Sequence, residues 1–323
     1  MKTNAFGALG RVSRLTLGGG GIGQAWGPTS RDEAIATIRV AVDAGIDLLD
    51  TAPLYRNCES IVGETFNGRP PEGLRVTSKC GLGSPAPGQV ESTLSQSLEA
   101  SLAAMKLDHV DIFFLHSNIC ADDYVYARRP DLQDSYATRW SIYVEQVIPA
   151  LEKLKASGKI RQWGITGSGV PDAILRALRH SKPPAFVQAV TNLLDSAGSL
   201  RRFAEPARPR EIIAAANEQG VGVLGIRAVQ AGALTAQIDR EVSANNPDAR
   251  DYARAAPFRA LCAEIEMDPA VVAHRYALSL RGIATVILGV KNISELQQCL
   301  AAEAAGPLEP ALLARIDALG LRN

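Results

Sequence analysis

Four ionisable side chains stand out by position: Asp50, Tyr55, Lys79 and His116 lie at or just past the ends of successive short apolar runs. Together these types can protonate an oxygen on which negative charge develops. A hydride arriving at a carbonyl carbon leaves an alkoxide, which must be hydrogen-bonded and then protonated. A tyrosine hydroxyl can give that proton, although its ordinary pKa of about 10 makes it slow at neutral pH. A neighbouring ammonium favours the phenolate and lowers that value. An aspartate paired to the lysine would hold the cation in a partly desolvated pocket, and a neutral histidine can orient the carbonyl oxygen. Taken singly, each group has a plainer reading: Asp50 as a turn cap, Tyr55 as a loop aromatic, Lys79 as a solvated charge, His116 as the satisfied end of a strand. The combination carries the inference. His109, His180 and His274 fall at helix ends or inside helical patterns and are not expected to take part.

Such a set needs a frame that brings consecutive strand ends to one place. Short β-type runs alternate with longer helical patterns along nearly the whole chain. Strands are read at Leu15–Leu17, Ile46–Asp50, Arg75–Lys79, Val110–Leu115, Gln162–Thr166, Phe186–Ala189, Val221–Arg227 and Thr285–Leu288. Helical periodicity marks 59–66, 90–105, 143–156, 171–179, 210–219, 258–264, 269–280, 294–304 and 310–319, and the capping box Ser30-Arg31-Asp32-Glu33 opens another through Ala44. Strand-then-helix alternation implies parallel strands with right-handed crossovers, and eight such units suit a closed (β/α)₈ TIM barrel. No linker or low-complexity block divides the sequence, so residues 1–323 are read as one catalytic domain. Long loops are expected near 117–141, 191–208 and 235–257. In a barrel, chemistry gathers where strands end and loops begin, so the four groups would share one mouth and the loops would wall it.

Composition narrows the partners. Lys plus Arg and Asp plus Glu both total 34, leaving zero formal net charge and no net field to hold nucleic acid or an anionic membrane. A small molecule is the expected partner. The five cysteines are scattered and free of any C-x-x-C pair, against a disulfide framework or zinc ribbon, and no metal is expected. Residues 1–14 lack the apolar core of a signal peptide, and no apolar run approaches ~18 residues. A reducing cytoplasm is the expected compartment; oligomeric state is not legible.

Gly18-Gly19-Gly20-Gly21-Ile22-Gly23 matches G-x-G-x-x-G, the fingerprint of an open-sheet dinucleotide fold. In that motif the glycines open a helix directly, so that a pyrophosphate sits on its N-terminus. Here Trp26-Gly27-Pro28-Thr29 intervenes before the cap at Ser30, and Asp43, about twenty residues on, lies inside a helix rather than at a strand end. The cluster is read instead as a flexible loop after the first barrel strand, able to approach a cofactor through its backbone at Gly21 and Ile22.

At these residues the sequence resembles the aldo-keto reductase family. Gly45-Ile46-Asp47-Leu48-Leu49-Asp50-Thr51-Ala52 with Tyr55 and Gly63-Glu64 is similar to its first signature. Thr77-Ser78-Lys79 is similar to its lysine strand, Asp111–His116 to its histidine strand, and Gly158–Ile165 to the approach to its fifth strand. The resemblance implies a (β/α)₈ barrel, NADP(H) bound extended without an open-sheet domain, and reversible reduction of an aldehyde or ketone, or oxidation of a sugar alcohol or lactol. It also implies cofactor contacts at Asp50, Thr166, Gln188, Arg227, Ala228, Gln230, Gly232, Leu234, Gly289, Lys291, Asn292, Glu295 and Gln298. Some positions depart from the pattern. Thr166-Gly167 replaces a Ser-Asn pair, Arg227-Ala228-Val229 replaces a Ser-Pro-Leu loop, and Gln298-Cys299 replaces Glu-Asn. Arg227 could pair with a phosphate. Lys291 offers a cation for a 2′-phosphate, whereas the nearby Glu295 would repel one, so NAD(H) stands beside NADP(H).

Two other functions fit parts of this sequence. A cofactor-sensing regulatory subunit on the same fold would keep the four groups and turn over little. A lyase using Lys79 in a Schiff base would need a lysine of lowered pKa in an apolar pocket, whereas Asp50 should keep this one charged. The aromatics and arginines of the long loops, Leu200-Arg201-Arg202-Phe203 among them, permit sugars, aromatic aldehydes or anionic substrates without choosing.

Overall fold

The apolar runs pair side by side and close on themselves. In the computed structural model, which describes residues 1–86 and 88–322, eight strands form an all-parallel barrel. They are β1 (Leu15–Gly18), β2 (Leu48–Asp50), β3 (Arg75–Cys80), β4 (Val110–Leu115), β5 (Ile160–Thr166), β6 (Phe186–Val190), β7 (Gly222–Ile226) and β8 (Thr285–Leu288). Each pairs with the next in chain order, and β8 pairs back onto β1. The eight-stranded (β/α)₈ architecture read from the sequence is the one the chain adopts.

Alternation of side chains decides what the barrel holds. Outward residues such as Leu15, Leu17, Val76, Phe113, Leu115, Ile165, Val187 and Val223 are buried with the surrounding helices in the main core. Leu48, Ile112, Phe114, Phe186 and Leu224 form a second cluster with Phe6 and Val12. Two residues further along those inner rows stand Asp50, His116 and Gln188, and Lys79 lies two beyond Thr77. A period of two therefore delivers the polar groups to one end. The other end is closed by an N-terminal hairpin, Thr3–Ala5 paired with Arg11–Ser13. Phe6, at its bend, packs 4.5 Å from the Phe186 ring.

Around the barrel lie α1 (Arg31–Asp43), α2 (Cys58–Phe66), α3 (Val90–Met105), α4 (Ile148–Ala156), α5 (Pro171–Leu178), α6 (Pro209–Glu218), α7 (Pro247–Arg254), α8 (Ala256–Glu264), α9 (Pro269–Ser279), α10 (Ile293–Ala304) and α11 (Pro310–Asp317). The expected cap on α1 is present: the Ser30 hydroxyl accepts from the Glu33 amide at 3.1 Å. The helix expected over 143–156 begins earlier, at Trp140, and passes through a π turn at Tyr143–Val147 before α4. Pro149 supplies the cause, since its ring lacks an N–H and crowds the carbonyl one turn back. The expected long loop near 117–141 contains two short strands, Asn118–Cys120 and Ala137–Arg139, paired in parallel. No helix among the described residues is long and apolar enough to cross a membrane.

The glycine cluster is not a flexible loop. Gly19–Ile22 form one helical turn, and all four residues are buried. The glycines are required by proximity. A Cβ on Gly19 would lie 2.3 Å from the Cys58 sulfur, one on Gly21 2.0 Å from the Val290 carbonyl oxygen, and one on Gly23 2.0 Å from that of Tyr55. Gly21→Ala should therefore cost on the order of 2 kcal/mol or more, a drop of several degrees in Tm, because the obstructing atoms are backbone and cannot rotate away. A thermal melt superimposable on that of the unsubstituted protein would contradict this packing.

Candidate active site

At the open end of the barrel Asp50 and Lys79 form a buried ion pair, Nζ to Oδ2 at 2.7 Å. Neither side chain is exposed to any useful degree, at 2% and 0%. Two such charges survive burial only if their remaining hydrogen-bonding capacity is filled. Lys79 Nζ also donates to the Thr51 carbonyl at 2.8 Å, while the other Asp50 oxygen accepts from Thr77 Oγ1 at 2.9 Å and from Gln188 Nε2 at 2.6 Å. Burial alone would lower the lysine's pKa, but Asp50 and Tyr55 together outweigh it, and the net shift is upward. The ammonium stays charged, which removes the Schiff-base reading.

Tyr55 ends a 3₁₀ turn, Pro53–Tyr55, and the chain reverses at Arg56 with φ +53°. This places its ring over the lysine, with Nζ 4.6 Å from the ring centroid. Burial pushes the phenol up; Lys79 pulls it down and Asp50 pushes it up again, for a net rise. The sequence argument anticipates the lysine's pull correctly but omits the larger cost of desolvating a phenolate. The group is a protonated phenol in this site. His116, just past β4, sets its ring edge-on to Tyr55 with centroids 6.0 Å apart. Burial, then Lys79, drives its pKa down to about 3, so the imidazole is neutral. Its Nδ1 is buried with no hydrogen-bond partner among the described residues.

These groups open into a cavity of about 580 Å³ whose wall includes Asp50, Tyr55 and His116. Of the expected cofactor contacts, Thr166, Gln188, Arg227, Ala228, Gly232, Gly289, Lys291, Glu295 and Gln298 also stand on that wall. Gly21, Ile22, Gln230, Leu234 and Asn292 do not. Gly21 is pressed against the Val290 backbone and Ile22 lies in the core. Gln230 is fully buried, donating to Asp251 at 2.6 Å and accepting from Arg227 Nε at 2.8 Å and Asn192 at 3.0 Å. Leu234 belongs to a separate apolar cluster with Leu193 and Phe258. Asn292 caps α10 by accepting from the Glu295 amide at 2.9 Å.

The charged wall residues are mostly already matched. Arg227 reaches Asp248 at 2.6 Å, with both side chains almost fully buried. Lys291 pairs with Asp239 and sits 3.5 Å from Glu295. Glu295 also accepts from the Lys291 amide at 2.9 Å, and the Ile293 amide, at the start of α10, donates to Glu33 at 2.9 Å. The sequence reading gave no role to Ser168, which shares a 2.9 Å hydrogen bond with Thr166, or to Asn118, Arg240 and Cys299 on the same wall. Ser168 carries a local signal, a second hydroxyl two residues beyond Thr166, and Cys299 directly follows Gln298. Leu200 and Arg202 do line the cavity, whereas Arg201 turns to the carbonyls of Phe203 and Ala204.

An extended dinucleotide fits this lining. Thr166, Ser168 and Gln188 put hydroxyl and amide groups on the same wall as Asp50, and these could hold a carboxamide. Gly289, where an added Cβ would meet nothing closer than 3.9 Å, leaves room along the wall, and Lys291 stands by the start of α10 for the sugar-phosphate end.

The model of the Aldo/keto reductase family matches residues 14–320. Among similar proteins are L-galactose dehydrogenase of Arabidopsis thaliana, 26% identical over 90% of this chain and 84% of that protein, and D-threo-aldose 1-dehydrogenase of a Pseudomonas species, 27% identical over 89% and 88%. A NADH-specific methylglyoxal reductase of Escherichia coli is 26% identical over 71% and 68%. The fold matches that of an aldo-keto reductase from Bacillus halodurans in its holo form, with TM-score 0.72 at 23% identity, over 99% of this chain and 96% of that one. With a family match over almost the whole length, the same barrel, and a phenol beside a buried ion pair at its mouth, the chain belongs to the aldo/keto reductase family of nicotinamide-dependent oxidoreductases.

Proposed function

We propose that the whole chain acts as one catalytic unit that interconverts a small aldehyde, ketone or reducing sugar with its alcohol or oxidised form, using Tyr55 as proton donor. The observation that carries this reading is the Tyr55 ring set against a buried ammonium, 4.6 Å from its centroid, and edge-on to His116, with Tyr55 and His116 on one cavity wall. A nicotinamide cofactor, when bound, supplies or accepts the hydride. His116 donates a hydrogen bond to the substrate oxygen and fixes its direction. Tyr55 passes its proton to that oxygen as charge builds, and the resulting phenolate is stabilised by Lys79. Asp50 keeps the ammonium from moving, and Thr77 and Gln188 keep Asp50 from turning. The names of the relatives, two sugar dehydrogenases and a methylglyoxal reductase, support small polar carbonyl compounds as substrates.

For the nucleotide, NADP(H) is implied by the family resemblance, with Lys291 offered as the cation for its 2′-phosphate. Asp239 and Glu295 already neutralise that ammonium, and Glu33 and Glu295 crowd the start of α10 with carboxylates. A 2′-phosphate would have to displace them against repulsion, whereas a 2′-hydroxyl could donate to one. This arrangement supports NAD(H).

Tyr55→Phe should lower carbonyl turnover by roughly 10²–10⁴-fold, with NADH affinity, followed by fluorescence titration, unchanged; near-normal rates would remove Tyr55 from the donor role. Because the phenol is held above its usual range and His116 far below its own, kcat/KM for reduction should show no limb between about pH 5 and pH 9. The oxidative direction, which needs the phenolate, should quicken steadily with pH. A histidine-like limb near neutrality would contradict the neutral imidazole. Wild-type protein should prefer NADH over NADPH, and Glu295→Gln should narrow the preference by about tenfold; an initial NADPH preference, or no change on substitution, would overturn the nucleotide assignment.

A further inference from the structure

Four cations line the cavity, and three are neutralised within the chain. Arg227 is paired with Asp248, Arg240 lies 3.6 Å from Asp239, and Lys291 contacts both Asp239 and Glu295. Arg202 is the exception. Among the described residues no carboxylate lies within ion-pair distance of its guanidinium, and none accepts a hydrogen bond from its side-chain N–H groups. The group is not loose. It stacks 4.1 Å from the centroid of the Tyr136 ring, and its backbone carbonyl accepts from the Arg128 amide at 3.2 Å. Stacking uses the face of the guanidinium and leaves its N–H edge available. That edge is the part that pairs bidentately with a planar carboxylate.

Position separates this cation from the nucleotide contacts. Arg202 follows β6 and Tyr136 follows β4, the strand that ends at His116, whereas Asp239 and Lys291 follow β7 and β8. Asn118, also after β4, is fixed by the Tyr126 hydroxyl at 3.0 Å and faces the same cavity. A half-buried, oriented and uncompensated guanidinium in a concave site draws an anion toward it.

We propose that Arg202 forms a carboxylate subsite, so that the carbonyl substrate is an acid: an aldehydic acid or a reducing sugar acid held by its carboxylate at Arg202 while its carbonyl meets Tyr55 and His116. This rests on the reductase reading above and adds the substrate class to it. One charge-assisted pair of this kind is worth roughly a ten- to hundredfold preference.

The test uses matched probes. The full-length protein is assayed with NADH on 4-carboxybenzaldehyde against methyl 4-formylbenzoate, and on D-glucuronate against D-glucose. Binding of 4-(hydroxymethyl)benzoate and of benzyl alcohol is measured in parallel by calorimetry. The proposal expects kcat/KM at least tenfold higher for the acid of each pair, mainly through KM. Arg202→Gln should erase that preference while the neutral compounds and NADH affinity change less than about threefold, and Arg202→Lys should restore part of it. Equal use of acid and neutral partner by the wild type, or an equal loss on both in Arg202→Gln, would overturn the subsite. A loss of NADH affinity in that variant would reassign Arg202 to the nucleotide and overturn it too. Absence of turnover with every carbonyl, together with Arg202-dependent binding of the benzoate, would sink the reductase reading and leave the subsite standing. Absence of both would end the two together.

Discussion

The buried pair of Asp50 and Lys79 is the constraint on which the rest of the site depends. Removing two charges from water costs several kcal/mol per ion, and only close contact plus filled hydrogen-bonding positions offset it. The barrel provides both, because β2, β3 and β6 bring the Thr51 carbonyl, Thr77 and Gln188 to the same point. Deleting either partner would strand a charge at a cost of about 3–5 kcal/mol. The same ammonium sets its neighbours' states. It helps hold His116 neutral and opposes the burial that keeps the Tyr55 proton in place. An acid and a neutral hydrogen-bond donor thus share one cavity wall, with a fixed cation buried behind them.

How the mouth is walled follows from chain order. Loops after β4 and β6 supply Asn118, Tyr136 and Arg202 to the cavity wall, while loops after β7 and β8 supply Arg227, Asp239 and Lys291. The cations of the second group are each paired with a carboxylate of the chain. The first group carries a cation, Arg202, with no carboxylate partner among the described residues. Barrel enzymes vary their loops while keeping the strand ends fixed, and this division is one instance.

The barrel was legible because the sequence repeats one physical unit: an apolar run of period two, a turn, then an amphipathic helix. Asp50, Lys79 and His116 could be placed because each closes or directly follows a short strand, whereas Gln188 is offered only by the family resemblance. The glycine cluster misled because composition cannot distinguish freedom from crowding. Gly21 is required by the Val290 carbonyl, hundreds of residues away in sequence. Arg227 and Lys291 looked like free cations because their partners, Asp248 and Asp239, lie 21 and 52 residues away. Gln230 likewise looked like a cavity residue until its three buried partners were seen. Local pattern reveals which face a residue occupies; it does not reveal which distant side chain has already claimed it.

The account turns on the protonation of one phenol. The most direct measurement is a pH titration of the Tyr55 side chain by carbon NMR, with ¹³Cζ-labelled tyrosine assigned through Tyr55→Phe, in the wild type and in Lys79→Met. Tyr55 should stay protonated past about pH 10 in the wild type, and its ionisation should move higher still once the ammonium is gone. A phenolate already present near neutral pH, or a titration indifferent to Lys79, would contradict it.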